Sequence, residues 1–186
     1  MATITVLRPD VNEADAPAFP LASPPDADRP LVLTLIDNGK PKARELLQAI
    51  AAELGHLVPL ASVQTVRKEA AAKLLSEEDA RAIAERSDIV IAGLGDCGAC
   101  SACSVDDAVE MQRRGVPAVV VISDVFQGLA ASFSASRGLP ACPTAVVPHP
   151  VSSKSDEHIA ELARRVVGTV REQLVGTRAS VSALAG

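Results

Sequence analysis

The stretch GLGDCGACSACS, residues 93 to 104, gathers three of the four cysteines of the chain at Cys97, Cys100 and Cys103. Cys97 and Cys100 form a Cys-x-x-Cys pair, a spacing that lets two thiols close a small disulfide ring. Three chemistries suit such a cluster. A thiolate can attack a substrate, with Cys97 as the attacking sulfur and Cys100 resolving the adduct. Cys97, Cys100 and Cys103 can instead hold a metal, either an iron–sulfur centre or zinc. Lastly, cysteines can be inert small apolar residues, a reading that a Gly/Ala-rich loop with three of them disfavours. Thiol chemistry is the favoured reading. The pair precedes a helix for which Ser104 is the expected N-cap and Asp107 completes a capping box. Amide groups at a helix start stabilise an anion and lower the pKa of a nearby thiol.

The elements that must position these residues are legible from Leu31 onward. LVLTLID is a continuous apolar run, as expected of a strand buried on both faces. KPKARELLQAIAAELG follows, with Leu46, Leu47, Ile50 and Leu54 at helical spacing and Gly55 as the stop. SVQTVRK reads as a second, weaker strand, and SEEDARAIAERS as a helix started by Ser76 and Asp79. DIVIAGLG, VPAVVVISD and TAVVPHP are further strands, separated by the helical SVDDAVEMQRRG and FQGLAASFSASRG and closed by SDEHIAELARRVVGTVREQLVG. Alternation of this kind predicts a parallel sheet with helices on both faces. The expected fold is α/β, a flavodoxin-like or Rossmann-like three-layer sandwich on a five-stranded parallel sheet. Residues 1–30 are rich in proline and read as an extended arm, with ITVL as a candidate edge strand, and residues 31–186 read as one α/β domain.

A sheet of this type binds ligands at the carboxyl ends of its strands, where the strand order reverses. In the order 2-1-3-4-5 that point lies between the first and third strands, so Cys97 falls at the expected site. Asp37, Asn38 and Lys40 end the first strand, Asp96 ends the third, and Ser123 and Asp124 end the fourth; all six are candidate substrate-binding residues. Asp96 would oppose thiolate formation if its carboxylate lay close to Cys97, or it could orient the loop. His149, after the fifth strand, is a candidate catalytic acid or base. Cys142 enters the fifth strand at the amino end of the sheet, which makes a four-cysteine metal site geometrically awkward.

Bulk properties narrow the function classes. The net charge is −5, no Lys/Arg cluster stands out, and three phenylalanines are the only aromatics, so nucleic-acid binding is not expected. No run approaches the roughly 18 apolar residues of a membrane span, and the N-terminus lacks the pattern of a secretory signal. The expectation is a cytoplasmic protein, where clustered cysteines serve catalysis, redox chemistry or metal binding. GLGDCG lacks the dinucleotide fingerprint. No resident cofactor is implied; an external dithiol is expected as reductant.

LIDNGKPKARELL, GLGDCGACSACSVDDAVEMQRRGVPAVVV and GLPACPTAVVPHP together resemble the UGSC family, and the likeness extends over nearly the whole chain. That family is named for a selenocysteine-Gly-Ser-Cys motif and is related to the selenoprotein B subunits of glycine, sarcosine and betaine reductases. The resemblance implies that Cys97 matches the selenocysteine and Cys100 the cysteine of the motif, with Ala99 in place of serine. It implies a chemistry in which the chalcogen attacks during reductive cleavage of a carbon–heteroatom bond. The resulting expectation is a thiol-dependent oxidoreductase acting on a small molecule, reset by a thioredoxin-like dithiol partner. The alternatives are a metal-binding enzyme on the same cysteines and a non-catalytic redox or ligand-binding subunit. A proline-rich arm can wrap a neighbouring subunit, so a homodimer is expected.

Overall fold

In the computed structural model, which describes residues 16–176, the apolar runs become five parallel strands in the order β2-β1-β3-β4-β5. The strands are β1 (Leu31–Asp37), β2 (Leu60–Arg67), β3 (Ile89–Gly95), β4 (Ala118–Ser123) and β5 (Thr144–Val147). Between and after them run α1 (Ala43–Gly55), α2 (Glu77–Arg86), α3 (Gly98–Arg113), α4 (Gln127–Ser136) and α5 (Asp156–Val175). This is the flavodoxin-like arrangement expected from the alternation. The candidate strand ITVL lies outside the described residues.

Alternation along the central strands builds two cores. Ile89 and Ile91 of β3 face α1 and α5, joined by Leu35, Leu46, Leu47, Ile50 and Val121. Val90 and Ala92, one residue out of phase, face α2, α3 and α4 with Ile83, Val105, Val109 and Val120. Every residue of β3 and β4 is buried, which is why these runs are apolar without interruption. β2 is an edge strand and half-polar, with a mostly exposed or half-buried pattern.

Residues 16–30 of the arm are irregular chain, which runs along α3 and α4 as far as Ala22, passes Gly176 at Pro24 and pairs Arg29 with Asp88. The Ala16 and Phe19 amides donate to the Ser136 and Gly138 carbonyls, and the Ala22 amide donates to Oε1 of Gln112. Arg113 stacks over the Phe19 ring. Gly138, at φ +86°, is the point of closest approach: a Cβ there would lie 2.5 Å from the Pro17 carbonyl oxygen. This stretch therefore spends its contacts on its own chain.

Candidate active site

The first residues past β3 build the site. Gly95 ends the strand directly under the first turn of α3, and a Cβ on it would stand 2.6 Å from Ile122 and 2.8 Å from Ser101 Oγ. Glycine is what lets the helix start so close to the sheet. Cys97, in extended conformation, is the N-cap residue: its carbonyl accepts from the Ser101 amide and from Ser101 Oγ, and its sulfur accepts from the Cys100 amide at 3.4 Å. The helix thus begins at Gly98, not at Ser104 as the sequence pattern suggests. Ser104 and Asp107 look like a capping box but are buried inside α3 with tertiary partners. Ser104 Oγ accepts from Asn38 Nδ2 at 3.2 Å, and Asp107 pairs with Lys68.

Capping puts the Cys97 sulfur on the orphan amides of α3, and its surroundings do the rest. Burial alone would raise its pKa. Hydrogen bonds from the Cys100 thiol and amide, together with the Lys40 ammonium, outweigh that and hold Cys97 below the ordinary thiol value. The Cys97 and Cys100 sulfurs lie 2.7 Å apart, and both are free thiols. Either thiol could donate across that contact. Burial and the neighbouring Cys97 sulfur push Cys100 up to about 11, so of the two thiols Cys97 is the one favoured to ionise. Cys103, a turn further along, is raised by burial, which outweighs the attraction of Lys68. Cys142 lies at the amino end of β5, where burial pushes it up to about 12.

On the far side of Cys97, Asp96 is nearly enclosed. Burial raises its carboxyl, but hydrogen bonds from the Ser152 hydroxyl and amide, from Ser123 and from the Val151 amide outweigh this and hold it below the usual range. Asp96 Oδ1 lies 2.9 Å from His149 Nδ1. The carboxylate can only accept, so Nδ1 carries a proton and Nε2 is left for chemistry. Ser123 Oγ stands 3.1 Å from the same nitrogen and reaches the Gly95 carbonyl. Asp124 is exposed, and its Oδ1 accepts from the His149 amide. Phe126 meets the imidazole edge-on, with centroids 5.8 Å apart. Asp96, Ser123 and Asp124, read from the sequence as substrate-binding candidates, thus all hold His149 and its loop.

The other strand end divides in the same way. Asp37 is fully buried and accepts from the Gly39 amide, Arg44 Nε and Arg67 Nη1. Asn38 is also buried and gives Nδ2 to the Leu94 carbonyl and to Ser104. Lys40, half-buried, is the member of this turn that reaches Cys97. Sequence reading does not single out Arg44, Arg67, Lys68 or Asp107 as functional. Lys68 follows the weakest strand and is almost wholly buried against Asp107, at 2.5 Å. Burial raises the Asp107 carboxyl despite that ammonium. A signal does exist: the buried SVDD segment of α3 needs a cationic partner.

Among the described residues no three or more His, Cys, Asp or Glu side chains are grouped to hold a metal ion. No helix among them is long and apolar enough to cross a membrane. Among curated proteins, none matches the chain. Of solved structures, the flavodoxin-like domain of a Synechococcus sp. protein is similar at 15% identity and a TM-score of 0.45, covering 82% of this chain and 97% of that one. A diflavin flavoprotein A3 from Nostoc sp. is similar at 16% identity and a TM-score of 0.40, covering 78% and 97%. The profile of the UGSC family matches residues 5–176.

Proposed function

The chain belongs to the UGSC family, and from that premise we propose that it is a thiol-dependent oxidoreductase in which Cys97 is the nucleophile. The observation that carries this reading is the asymmetry of the thiol pair. Cys97 caps α3 beside Lys40 with its pKa lowered, while burial and the Cys97 sulfur push Cys100 up to about 11. A relationship to the selenoprotein B subunits, with Cys97 at the selenocysteine position, belongs to the same proposal.

The reaction runs in two steps. The Cys97 thiolate attacks a substrate carbon, an S–C bond forms, the carbon–heteroatom bond breaks, and the heteroatom leaves with the electron pair. His149, oriented by Asp96, is the group to which we give the role of general acid for that leaving atom. Cys100, once deprotonated, then attacks the Cys97 sulfur: the disulfide forms, the S–C bond breaks, and its electron pair passes to carbon, which is protonated. The substrate has gained two electrons and the dithiol has lost two. An external dithiol, such as a thioredoxin-like protein in a reducing cytoplasm, restores the pair by exchange. The carbanion leaving sulfur needs stabilisation, so the attacked carbon sits next to a carbonyl or comparable group.

Trapping the first adduct tests this. Cys100→Ser, incubated with pools of small organic molecules, is expected to retain substrate mass on Cys97, whereas Cys97→Ser retains none. Adducts on Cys103 or Cys142 instead would sink the proposal.

A further inference from the structure

The two edges of the sheet are finished differently. β5 is four residues long, Pro143 and Pro148 flank it, and Gln173 Nε2 donates to its Thr144 carbonyl at 3.2 Å. Short length, flanking proline and a covering side chain all keep an edge from pairing further. β2 has none of these guards. It is eight residues long, and residues 57–66 carry no charge. The Lys68 amide donates to the Asp37 carbonyl, and Asp37 stands opposite Arg67. Parallel pairing alternates along a strand, so Gln64 and Val66 turn their backbone groups to β1 while Val63 and Thr65 turn theirs outward. Among the described residues nothing pairs with those outward amides and carbonyls. The side chains of Val63 and Thr65 are exposed as well. Six large hydrophobics are left exposed among the described residues, and three of them belong to this edge: Leu57 before the strand, Val63 within it and Leu74 after it.

We infer that β2 is a dimer surface, on which a second copy of the chain pairs its own β2 antiparallel about a two-fold axis at Gln64. The two five-stranded sheets are then joined edge to edge. Val63 of one copy lies opposite Thr65 of the other, and each such pair exchanges both of its backbone hydrogen bonds. A two-fold axis sets every outward amide against a carbonyl of the same strand in the other copy, so the edge complements itself. Charge favours the same surface. The chain carries a net charge of −5, so two copies repel through most faces, but along this strip no like charges meet. Arg67 falls opposite Ala61, clear of its own copy. Gln64 meets Gln64, whose amide both donates and accepts. The Leu57 end of one strand meets the Leu74 end of the other, which covers the exposed hydrophobics at both ends. Because β5 is closed, assembly stops at two copies.

Sedimentation equilibrium and backbone amide exchange on the full chain test this. A monomer–dimer equilibrium is expected, with exchange at Val63 and Thr65 slowing as the dimer fills. Thr65→Pro removes an outward donor that the monomer does not use, and proline is tolerated at such an edge position. The fold should therefore stand while self-association weakens by about thirtyfold, the effect of two lost hydrogen bonds. Val63→Lys and Thr65→Glu, made singly, each bring two like charges to diagonal positions across the axis and should weaken the dimer. Made together in one chain, they set the introduced ammonium of each copy opposite the introduced carboxylate of the other, and dimerisation should recover.

The outcomes separate. A chain that stays monomeric up to ~100 µM overturns the proposal. A dimer that Thr65→Pro and Val63→Lys leave unchanged is made by another surface and overturns it too. Loss of the dimer on deletion of residues 1–15 assigns the edge to that segment instead of a second copy. Assembly past two copies overturns the closed pairing. If Thr65→Pro fails to fold, the paired-charge variant still decides: a folded monomer there overturns the register and the proposal with it.

Discussion

At the scale of single residues, the two thiols are made unlike by position alone. Cys97 faces the Cys100 amide and the Lys40 ammonium, while Cys100 is buried against the Cys97 sulfur. The attack rate of Cys97 should rise with pH through a value below the ordinary 9.0, where Cys103 and Cys142 stay protonated because burial raises both. Lys40→Met removes the one lysine that lowers Cys97, and its thiolate then forms only at higher pH. Iodoacetamide labelling of Cys97 at pH 7 should slow by about tenfold, the effect of losing one close opposite charge. At a pH high enough to ionise the thiol in both proteins, the rates should converge. A pH-independent loss would mean that Lys40 shapes the loop and does not tune the thiol.

At the scale of elements, the same cysteine is a helix cap and a nucleophile, and the two roles separate by substitution. Serine is a preferred N-cap residue, so Cys97→Ser should fold with stability unchanged or raised by up to about 1 kcal/mol, as read by urea denaturation, while losing all adduct formation. A marked loss of stability would show that the sulfur itself holds the first turn. The same element shows where sequence reading reaches its end. The strand order and Cys97 at the edge beside β1 are legible because β3 and β4 are buried on both faces and so leave uninterrupted apolar runs. The start of α3 is misread because Ser104 and Asp107 have capping-box chemistry but satisfy it through Asn38 and Lys68, partners distant in sequence. Arg44, Arg67 and Lys68 are missed for a related reason. A charged residue in the first turn of a helix, such as Arg44, or at the end of a weak edge strand, such as Arg67 and Lys68, looks solvated until a buried carboxylate, Asp37 or Asp107, is found to need it.

At the scale of the whole molecule, Asp96 ties β3 to the segment after β5. It accepts from the Val151 and Ser152 amides, the Ser152 hydroxyl and the imidazole of His149. Its carboxyl is held below the ordinary 3.8, so the stability it contributes is present above that pH and is lost as pH falls through the depressed value. Asp107 acts in the opposite sense. Burial raises its carboxyl above 3.8, and the cost of ionising it disappears as pH falls toward that value. Asp96→Asn should therefore destabilise the protein at pH 7 by about 1–3 kcal/mol in urea melts and flatten the acid side of the stability profile. An unchanged acid slope would mean that other carboxylates govern it. The homodimer expected from the arm is kept as a proposal. Because residues 16–30 are engaged on their own chain, sedimentation should show a dimer that survives deletion of residues 1–15 only if other surfaces make it.

The central claim, that Cys97 and Cys100 are a working nucleophile and resolver, is tested most directly by mapping the product of mild oxidation. Wild-type protein is treated with substoichiometric hydrogen peroxide at pH 7, free thiols are blocked, and cysteine peptides are assigned by mass spectrometry. The account predicts that a Cys97–Cys100 disulfide forms first, that Cys103 and Cys142 stay free, and that a dithiol reverses the change. A first-formed bond that excludes Cys97, or oxidation that begins at Cys103 or Cys142, would contradict it.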